Sequence, residues 1–194
     1  MKNSLSLLIA TMLFTTSSYG KRLNIEPTLG AQSLFADYEY EAIDNSFAPN
    51  IHMVTAGVSI NDRFSLEVAT SVDATTEKSD PEPYGLVNTR YVMELENLTM
   101  LKAAAIIPNK IKYFDGYAAI TYSWLDIEMA RDFQVAEIKR NERGQAPGVA
   151  LGARFHARNI KAYMEYGDYF RDSEDGYKTS LTGFLVGVSI DLNI

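Results

Sequence analysis

Along most of the chain every second residue is apolar, and the clearest example lies within residues 148–170. The apolar positions in the first half of this segment are Val149, Leu151, Ala153 and Phe155, and the alternation resumes after Arg158-Asn159. A period of two places successive side chains on opposite faces of a β-strand. The segment therefore predicts a β-hairpin with one apolar face and one face of small and charged residues.

Eight runs of this kind follow one another from Lys21 onward. They span about residues 23–36, 51–60, 64–72, 90–107 and 113–127, then the two strands of the hairpin within 148–170, and finally 179–194. Three of the connections are short, at Asn61-Asp62, Pro108–Lys112 and Arg158-Asn159. The others are longer and charged, at 37–50, 73–89, 128–147 and 171–178. Short and long connections therefore mark opposite ends of the strands.

This layout is typical of outer-membrane barrels, which have short periplasmic turns and longer extracellular loops. An even number of strands closes the sheet with both termini at the periplasmic end, and tilted runs of about 10 residues cross the bilayer. We therefore predict an all-β fold, namely an eight-stranded antiparallel transmembrane β-barrel with short periplasmic turns and longer extracellular loops. A soluble lipocalin-like barrel is the alternative, and it would need a large apolar interior.

The charged residues of the alternating pattern indicate which face is inside. A buried charge is tolerated when it is paired, and a narrow lumen lets opposite charges neutralise one another. We therefore place the small and charged face in the lumen and the apolar face against lipid. The aromatic residues expected near the lipid-facing strand ends are Tyr122, Trp124, Tyr166, Phe170 and Phe184. The lumen residues expected to form an interlocking ion-pair network that plugs the barrel, including a Glu67–Arg154 pair, are Glu67, Lys102, Arg154, Lys161 and Glu165.

Composition removes several classes of site. The chain has no cysteine and only two histidines, His52 and His156, so disulfide scaffolds, thiolate zinc sites and imidazole metal clusters are disfavoured. Its net charge of -7 argues against nucleic-acid binding through a basic surface. We therefore expect no cofactor, no metal site and no nucleic-acid partner.

The N-terminus resembles a secretory signal peptide. Lys2 supplies a positive charge, residues 5–14 form a short apolar segment, and Ser18 and Gly20 suit the -3 and -1 positions of a cleavage site. We expect residues 1–20 to be removed, which leaves an outer-membrane barrel of residues 21–194.

Several segments resemble the small outer-membrane β-barrel family, the OmpA-like and opacity-type porin-family domains. "GVALGARFHARNIKAYMEYGDYF" and "TGFLVGVSIDLNI" are similar to its last three strands, "VTAGVSINDRFSLEVATS" to its second hairpin and "FDGYAAITYSW" to its fifth strand. The resemblance implies the outer membrane of a Gram-negative bacterium, contact with membrane lipid and lipopolysaccharide, and insertion by the outer-membrane assembly machinery. The sequence has Ile194 where the family usually has a terminal aromatic, and we expect no peptidoglycan-binding domain after the barrel, so the wall-anchoring role of longer family members is not implied.

Three functions remain open: a structural or surface-interaction barrel, a narrow channel for ions or small solutes, and a barrel enzyme that modifies lipid. Neither His52 nor His156 has an evident serine–acid set nearby in the sequence, so we expect no enzyme and favour the structural role.

Acidic loop residues such as Glu39, Glu77 and Asp172 could share divalent cations with lipopolysaccharide or simply be solvated. The basic residues of segment 128–145 could contact lipid phosphates or pair with acidic neighbours. The oligomeric state is left open.

Overall fold

A computed structural model describes residues 24–41, 45–84, 87–108, 111, 113–133, 136–174 and 177–192. The predicted signal peptide, residues 1–20, and Ile194 lie outside these residues. Among the described residues, no helix has the length and apolar character needed to cross a bilayer.

The described chain consists almost entirely of β-strands. The eight long strands are β1 Ile25–Tyr40, β3 Asn50–Ile60, β4 Phe64–Ala74, β7 Val87–Pro108, β8 Phe114–Phe133, β9 Ala136–Ala157, β10 Ile160–Glu174 and β11 Tyr177–Asp191. Three short strands pair with β1 or β7, namely β2 Asn45–Phe47, β5 Glu77–Lys78 and β6 Glu82–Tyr84.

The long strands form a closed antiparallel ring. Each pairs with its neighbours in the order β11-β10-β9-β8-β7-β4-β3-β1. The ring closes between β1 and β11 over a register that runs from Thr28 opposite Asp191 to Tyr40 opposite Thr179. The predicted eight-stranded antiparallel barrel is confirmed.

The three short connections lie at one end of the barrel together with both ends of the described chain. The Asn61 amide donates to the Asn24 carbonyl oxygen at 2.8 Å, and the Leu192 amide donates to Pro27 at 2.8 Å. Asn61 and Asp62 have φ angles of 51° and 55°, a left-handed conformation that asparagine and aspartate tolerate and that matches the twist of a tight hairpin. We call this the turn end, and the opposite end the loop end.

At the loop end the strands run further than the sequence pattern predicted. Segment 128–147, expected to be a loop, instead continues β8 to Phe133 and begins β9 at Ala136. Opposite charges face each other across this extension, for example Asp126 and Arg143, so cross-strand pairs support strands beyond the region of apolar alternation. Most of segment 171–178 likewise belongs to β10 and β11.

The apolar face of the alternating pattern is on the outside of the barrel, as predicted. Leu151 is 71% exposed and Val149 61%, and exposed apolar side chains continue around the barrel. Tyr113, Phe114 and Phe155 lie at the turn end of this surface. The exposed aromatic residues further toward the loop end include Phe35, Trp124, Tyr166 and Phe184. Exposed apolar side chains with aromatic groups toward both ends match the lipid-facing surface of a transmembrane barrel.

One aromatic prediction is wrong. Phe170 was expected on the lipid-facing surface but is only 2% exposed. The pairing of β10 with β11 shifts between Asp168 and Phe170, which marks a β-bulge. A bulge adds one residue to a strand and so reverses the face of the residues that follow it.

The interior differs from the predicted lining of small and charged residues. Nine large apolar side chains lie inside the loop-end half, each at most 1% exposed. They are Leu34, Ile51, Met53, Met93, Leu98, Met100, Ile127, Leu181 and Leu185. We call this set the apolar layer. Their contacts remove apolar surface from water, so this part of the lumen is packed like a protein core.

Candidate functional site in the lumen

All five residues predicted for the lumen network lie in the turn-end half of the barrel. Glu165 is 1% exposed, Lys102 5%, Arg154 7% and Lys161 8%, and the Glu67 side chain is 12% exposed. They do not form a single network, because each cation has its own carboxylate partners. Together with Asp115 and Asp191, introduced below, they form what we call the charged layer.

The first group joins Lys102 to two glutamates. Glu67 and Lys102 face each other across β4 and β7, and the distance from Lys102 Nζ to Glu67 Oε1 is 3.2 Å. The same ammonium lies 3.4 Å from Glu165 Oε2, whose side chain has no exposed surface. Lys102 is thus shared by two carboxylates inside the barrel.

Three tyrosines complete the surroundings of this group. Tyr117 donates its hydroxyl proton to Glu165 Oε2 at 2.6 Å, and Tyr169 donates to Oε1 at 3.2 Å. Lys102 Nζ also lies 4.9 Å from the centre of the Tyr163 ring, within range of a cation–π contact. The buried charge of Glu165 is therefore compensated by one cation and two hydroxyl groups.

Glycine makes room for two of these rings. A Cβ atom on Gly152 would lie 2.5 Å from Tyr117 Cζ, and one on Gly187 would lie 2.5 Å from Tyr163 Cζ. The small inner-face residues of the alternating pattern therefore leave space for long neighbours, as expected in a narrow barrel.

The predicted Glu67–Arg154 pair is wrong. Arg154 instead contacts Asp115, with Nη2 at 3.2 Å from Oδ2, and donates to the Asp62 carbonyl oxygen at 3.1 Å. Arg154 and Asp115 are cross-strand partners on β9 and β8, whereas Glu67 is opposite Lys102. The strand register, which the sequence does not reveal, decides the pairing.

The third cation also has a partner that the sequence reasoning did not name. Lys161 Nζ lies 2.6 Å from Asp191 Oδ1 and donates to Ser59 Oγ at 3.2 Å. The alternation of the last strand places Asp191 on the inner face, and this position could have identified it as a candidate partner from the sequence. Asp115 follows Phe114 at the start of β8 and could have been found in the same way.

With these additions, the charged layer contains three cations and four carboxylates. It borders a cavity of about 50 Å³ lined by residues that include Glu67, Lys102, Arg154 and Lys161. The space and its polar lining are suited to water molecules. Among the described residues, no group of three or more histidine, aspartate or glutamate side chains is arranged to hold a metal ion. The arrangement can hold paired positive and negative side chains in fixed positions across the lumen.

The two histidines have different surroundings. His156 lies near the turn end with Nδ1 3.3 Å from Asp115 Oδ2, so it joins the Arg154 group. His52 points to the outer surface, where its Nδ1 is 2.8 Å from Ser33 Oγ, and Asp73 is its cross-strand neighbour on β4. Ser33 and Asp73 thus lie beside His52 from two other strands, a proximity that the order of residues in the sequence does not reveal.

Basic residues at the loop end are paired with acidic neighbours. Arg143 Nε lies 2.9 Å from Asp126 Oδ2, and Lys139 contacts Glu128 on the same hairpin. The cations are more than half exposed, at 73% for the Arg143 side chain and 53% for Lys139. Of the two readings of segment 128–145, pairing with acidic neighbours is the one that the geometry favours.

No family model matches the chain, and no curated protein matches its sequence. Solved structures do match. The crystal structure of neisserial surface protein A (NspA) aligns with a TM-score of 0.56 at 13% identity, covering 89% of this chain and 100% of that one. The N-terminal β-barrel domain of OprF from Pseudomonas aeruginosa aligns with a TM-score of 0.51 at 12% identity, covering 87% and 100%. This chain therefore has the fold of the small eight-stranded β-barrels of the Gram-negative outer membrane.

Proposed function

We propose that this protein is a structural barrel of the outer membrane that presents its loop-end hairpins for surface interactions and keeps its lumen closed. The observation that supports the proposal is that two layers of buried side chains lie one after the other along the lumen. The charged layer occupies the turn-end half and the apolar layer the loop-end half. Water and ions would have to pass both.

The two layers would oppose conduction for different physical reasons. In the charged layer, each cation is held by at least one carboxylate, so movement of a side chain would break a buried ion pair. In the apolar layer, nine buried apolar side chains replace the water that would solvate a passing ion. The ion pairs of the charged layer are thus assigned a structural and not a catalytic role.

The loop end supports the surface-interaction part of the proposal. The β8–β9 hairpin extends beyond the end of the β9–β10 pairing at Val149. It carries alternating acidic and basic side chains, including Glu128, Lys139 and Arg143. We propose lipopolysaccharide as a neighbour of this surface and the assembly machinery as the route of insertion.

Conductance across a planar bilayer tests this proposal. We expect the purified protein to show no steady ion conductance. We also expect Glu67→Gln to remain closed, because the apolar layer is unchanged by this substitution. Refolded OprF β-barrel domain, inserted under the same conditions, serves as a comparison barrel. Steady conductance of the wild-type protein would contradict closure and favour the narrow channel for ions or small solutes.

A further inference from the structure

Three polar residues that could act together chemically lie side by side on the outer surface of the barrel. Ser33 on β1 is opposite His52 on β3, and His52 is opposite Asp73 on β4. Side chains that face each other across antiparallel strands have Cβ atoms about 4.5–5.5 Å apart. A serine, a histidine and an aspartate therefore form a row across three neighbouring strands.

The serine and the histidine are in direct contact. Ser33 Oγ lies 2.8 Å from His52 Nδ1, a hydrogen-bond distance. An imidazole nitrogen at this distance can accept the hydroxyl proton as the oxygen becomes a nucleophile. Asp73 is the cross-strand neighbour of His52 on the side away from Ser33, with no hydrogen bond or ion pair between the two in this structure.

A β-bulge brings the aspartate to this face. In β4 the residues up to Ser71 alternate so that odd positions face the lumen, which would direct Asp73 inward. The register shifts between His52 and Met53, whose partners are Asp73 and Ser71, so Val72 is an additional residue. As a result Asp73 is exposed on the same side as His52. Bulges that re-aim a side chain occur often next to active sites.

The row lies where the lipid-facing surface becomes polar. On the turn-end side its outward neighbours are Val54 and Val72, which are 45% and 63% exposed. On the loop-end side of Ser33 the next outward residue of β1 is Phe35, 48% exposed, one of the aromatic residues toward that end. Toward the loop end the strands continue with Asn50 and Thr75. Ionisable groups on a lipid-facing surface are costly and therefore point to a function. In a bilayer this level is the boundary between the acyl chains and the headgroups, where the ester carbonyls of lipids lie.

We propose that Ser33, His52 and Asp73 hydrolyse the ester-linked acyl chains of outer-leaflet lipids. This activity goes beyond the structural role proposed above and departs from the expectation that the chain is not an enzyme. Ser33 is the nucleophile and His52 the general base and acid. Asp73 is assigned as a positioning residue, whose nearby carboxylate favours the protonated imidazole that forms during the reaction, as the acid does in other serine–histidine–aspartate sets.

The reaction is a two-step acyl transfer to water. His52 takes the proton of Ser33 as Oγ bonds to the acyl carbonyl carbon, and the bond from that carbon to the alcohol oxygen breaks. His52 then gives the proton to the departing lysolipid alcohol. Water attacks the acyl-serine in the same manner, which releases the fatty acid and restores the serine hydroxyl.

Release of fatty acid from defined lipids tests the proposal. The protein purified from the outer membrane is incubated in mixed micelles with either diacyl phosphatidylethanolamine or lipopolysaccharide, and free fatty acid is measured by mass spectrometry. We expect release from at least one substrate, loss of release in Ser33→Ala and a decrease of at least about 100-fold in His52→Gln. An alkyl fluorophosphonate should label Ser33 in the wild-type protein and not in His52→Gln.

Matched variants separate catalysis from a structural role. Ser46→Ala removes an exposed serine on β2, and His156→Gln removes the other histidine; both should retain release. Asp73→Asn should lower kcat with little change in KM, and Asp73→Glu should restore part of it. Release from only phosphatidylethanolamine identifies glycerophospholipids as the substrate, and release from only lipopolysaccharide identifies lipid A esters. No release from either lipid, or release that persists in Ser33→Ala, would overturn the proposal.

Discussion

Lys102→Met is expected to lower the free energy of unfolding by about 3–5 kcal/mol, the range found when one partner of a buried ion pair is removed. The substitution keeps a long unbranched side chain but leaves Glu67 and Glu165 without their shared cation. Glu165 would retain only the hydroxyl groups of Tyr117 and Tyr169. Unfolding in urea, followed by tryptophan fluorescence in lipid vesicles, measures the difference.

Two further variants show whether burial of charge is the cause. Lys139→Met removes a cation that is 53% exposed and paired with Glu128. It should cost no more than about 1 kcal/mol, because exposed ion pairs contribute little. The triple variant Lys102→Met/Glu67→Gln/Glu165→Gln removes the opposing charges together and should recover much of the lost stability. Equal effects of Lys102→Met and Lys139→Met would contradict the interpretation of the first group as a desolvated ion-pair cluster.

Glu67→Gln should have a smaller effect than Lys102→Met. Its side chain is 12% exposed, whereas that of Glu165 has no exposed surface, so water partly solvates the group that changes. Lys102 also keeps Glu165 as a partner in this variant. Lys102→Met leaves two carboxylates without a cation, whereas Glu67→Gln leaves Lys102 paired with Glu165, and this difference sets the order of the two effects.

The alternating pattern was sufficient to predict the strands and the outside of the barrel. An alternation of apolar and polar positions has a direct physical consequence in a strand, because each side chain must enter either lipid or the lumen. Leu151 and Phe155 were placed correctly on this basis, and they are 71% and 50% exposed. The same reasoning placed Lys102 and Glu165 in the lumen.

Contacts that depend on register or bulges could not be predicted from the pattern. The partner of Arg154 is Asp115 because β8 and β9 pair in a particular register. The bulges near Phe170 and Asp73 each reverse a face, which moves Phe170 inward and Asp73 outward. An extra residue in a strand leaves no clear signal in one sequence. The Ser33–His52–Asp73 row was missed because Asp73 was placed in the connection 73–89 and because the register that aligns the three strands is not visible in the sequence.

The interior apolar layer was missed for a different reason. Segments such as Leu98–Leu101 have large apolar residues on both faces, so alternation does not distinguish lipid from lumen there. Leu98 and Met100 are buried at 0% and 1% exposure inside the barrel. A narrow barrel can therefore contain both a core-like section and a charged section, whereas the pattern analysis treated its interior as uniform.

Leu151→Arg should reduce the free energy of unfolding from lipid vesicles by about 2–4 kcal/mol, because a cation near the bilayer midplane must be moved into hydrocarbon. Leu151 lies on the outer face of β9 between Val149 and Ala153, at 71% exposure, so the change creates no cavity in the lumen. The cost therefore reports the environment of the outer surface alone.

Ile138→Arg provides the control on the same strand. Ile138 is 61% exposed, but it lies on the part of β9 beyond the β10 pairing, among charged residues such as Lys139 and Arg140. A cation there remains near water, so we expect a cost of about 0–1 kcal/mol. A penalty that is large at position 151 and small at 138 follows from lipid contact, since the two side chains are similarly exposed. Equal penalties would mean that the outer surface of β9 at Leu151 does not face hydrocarbon.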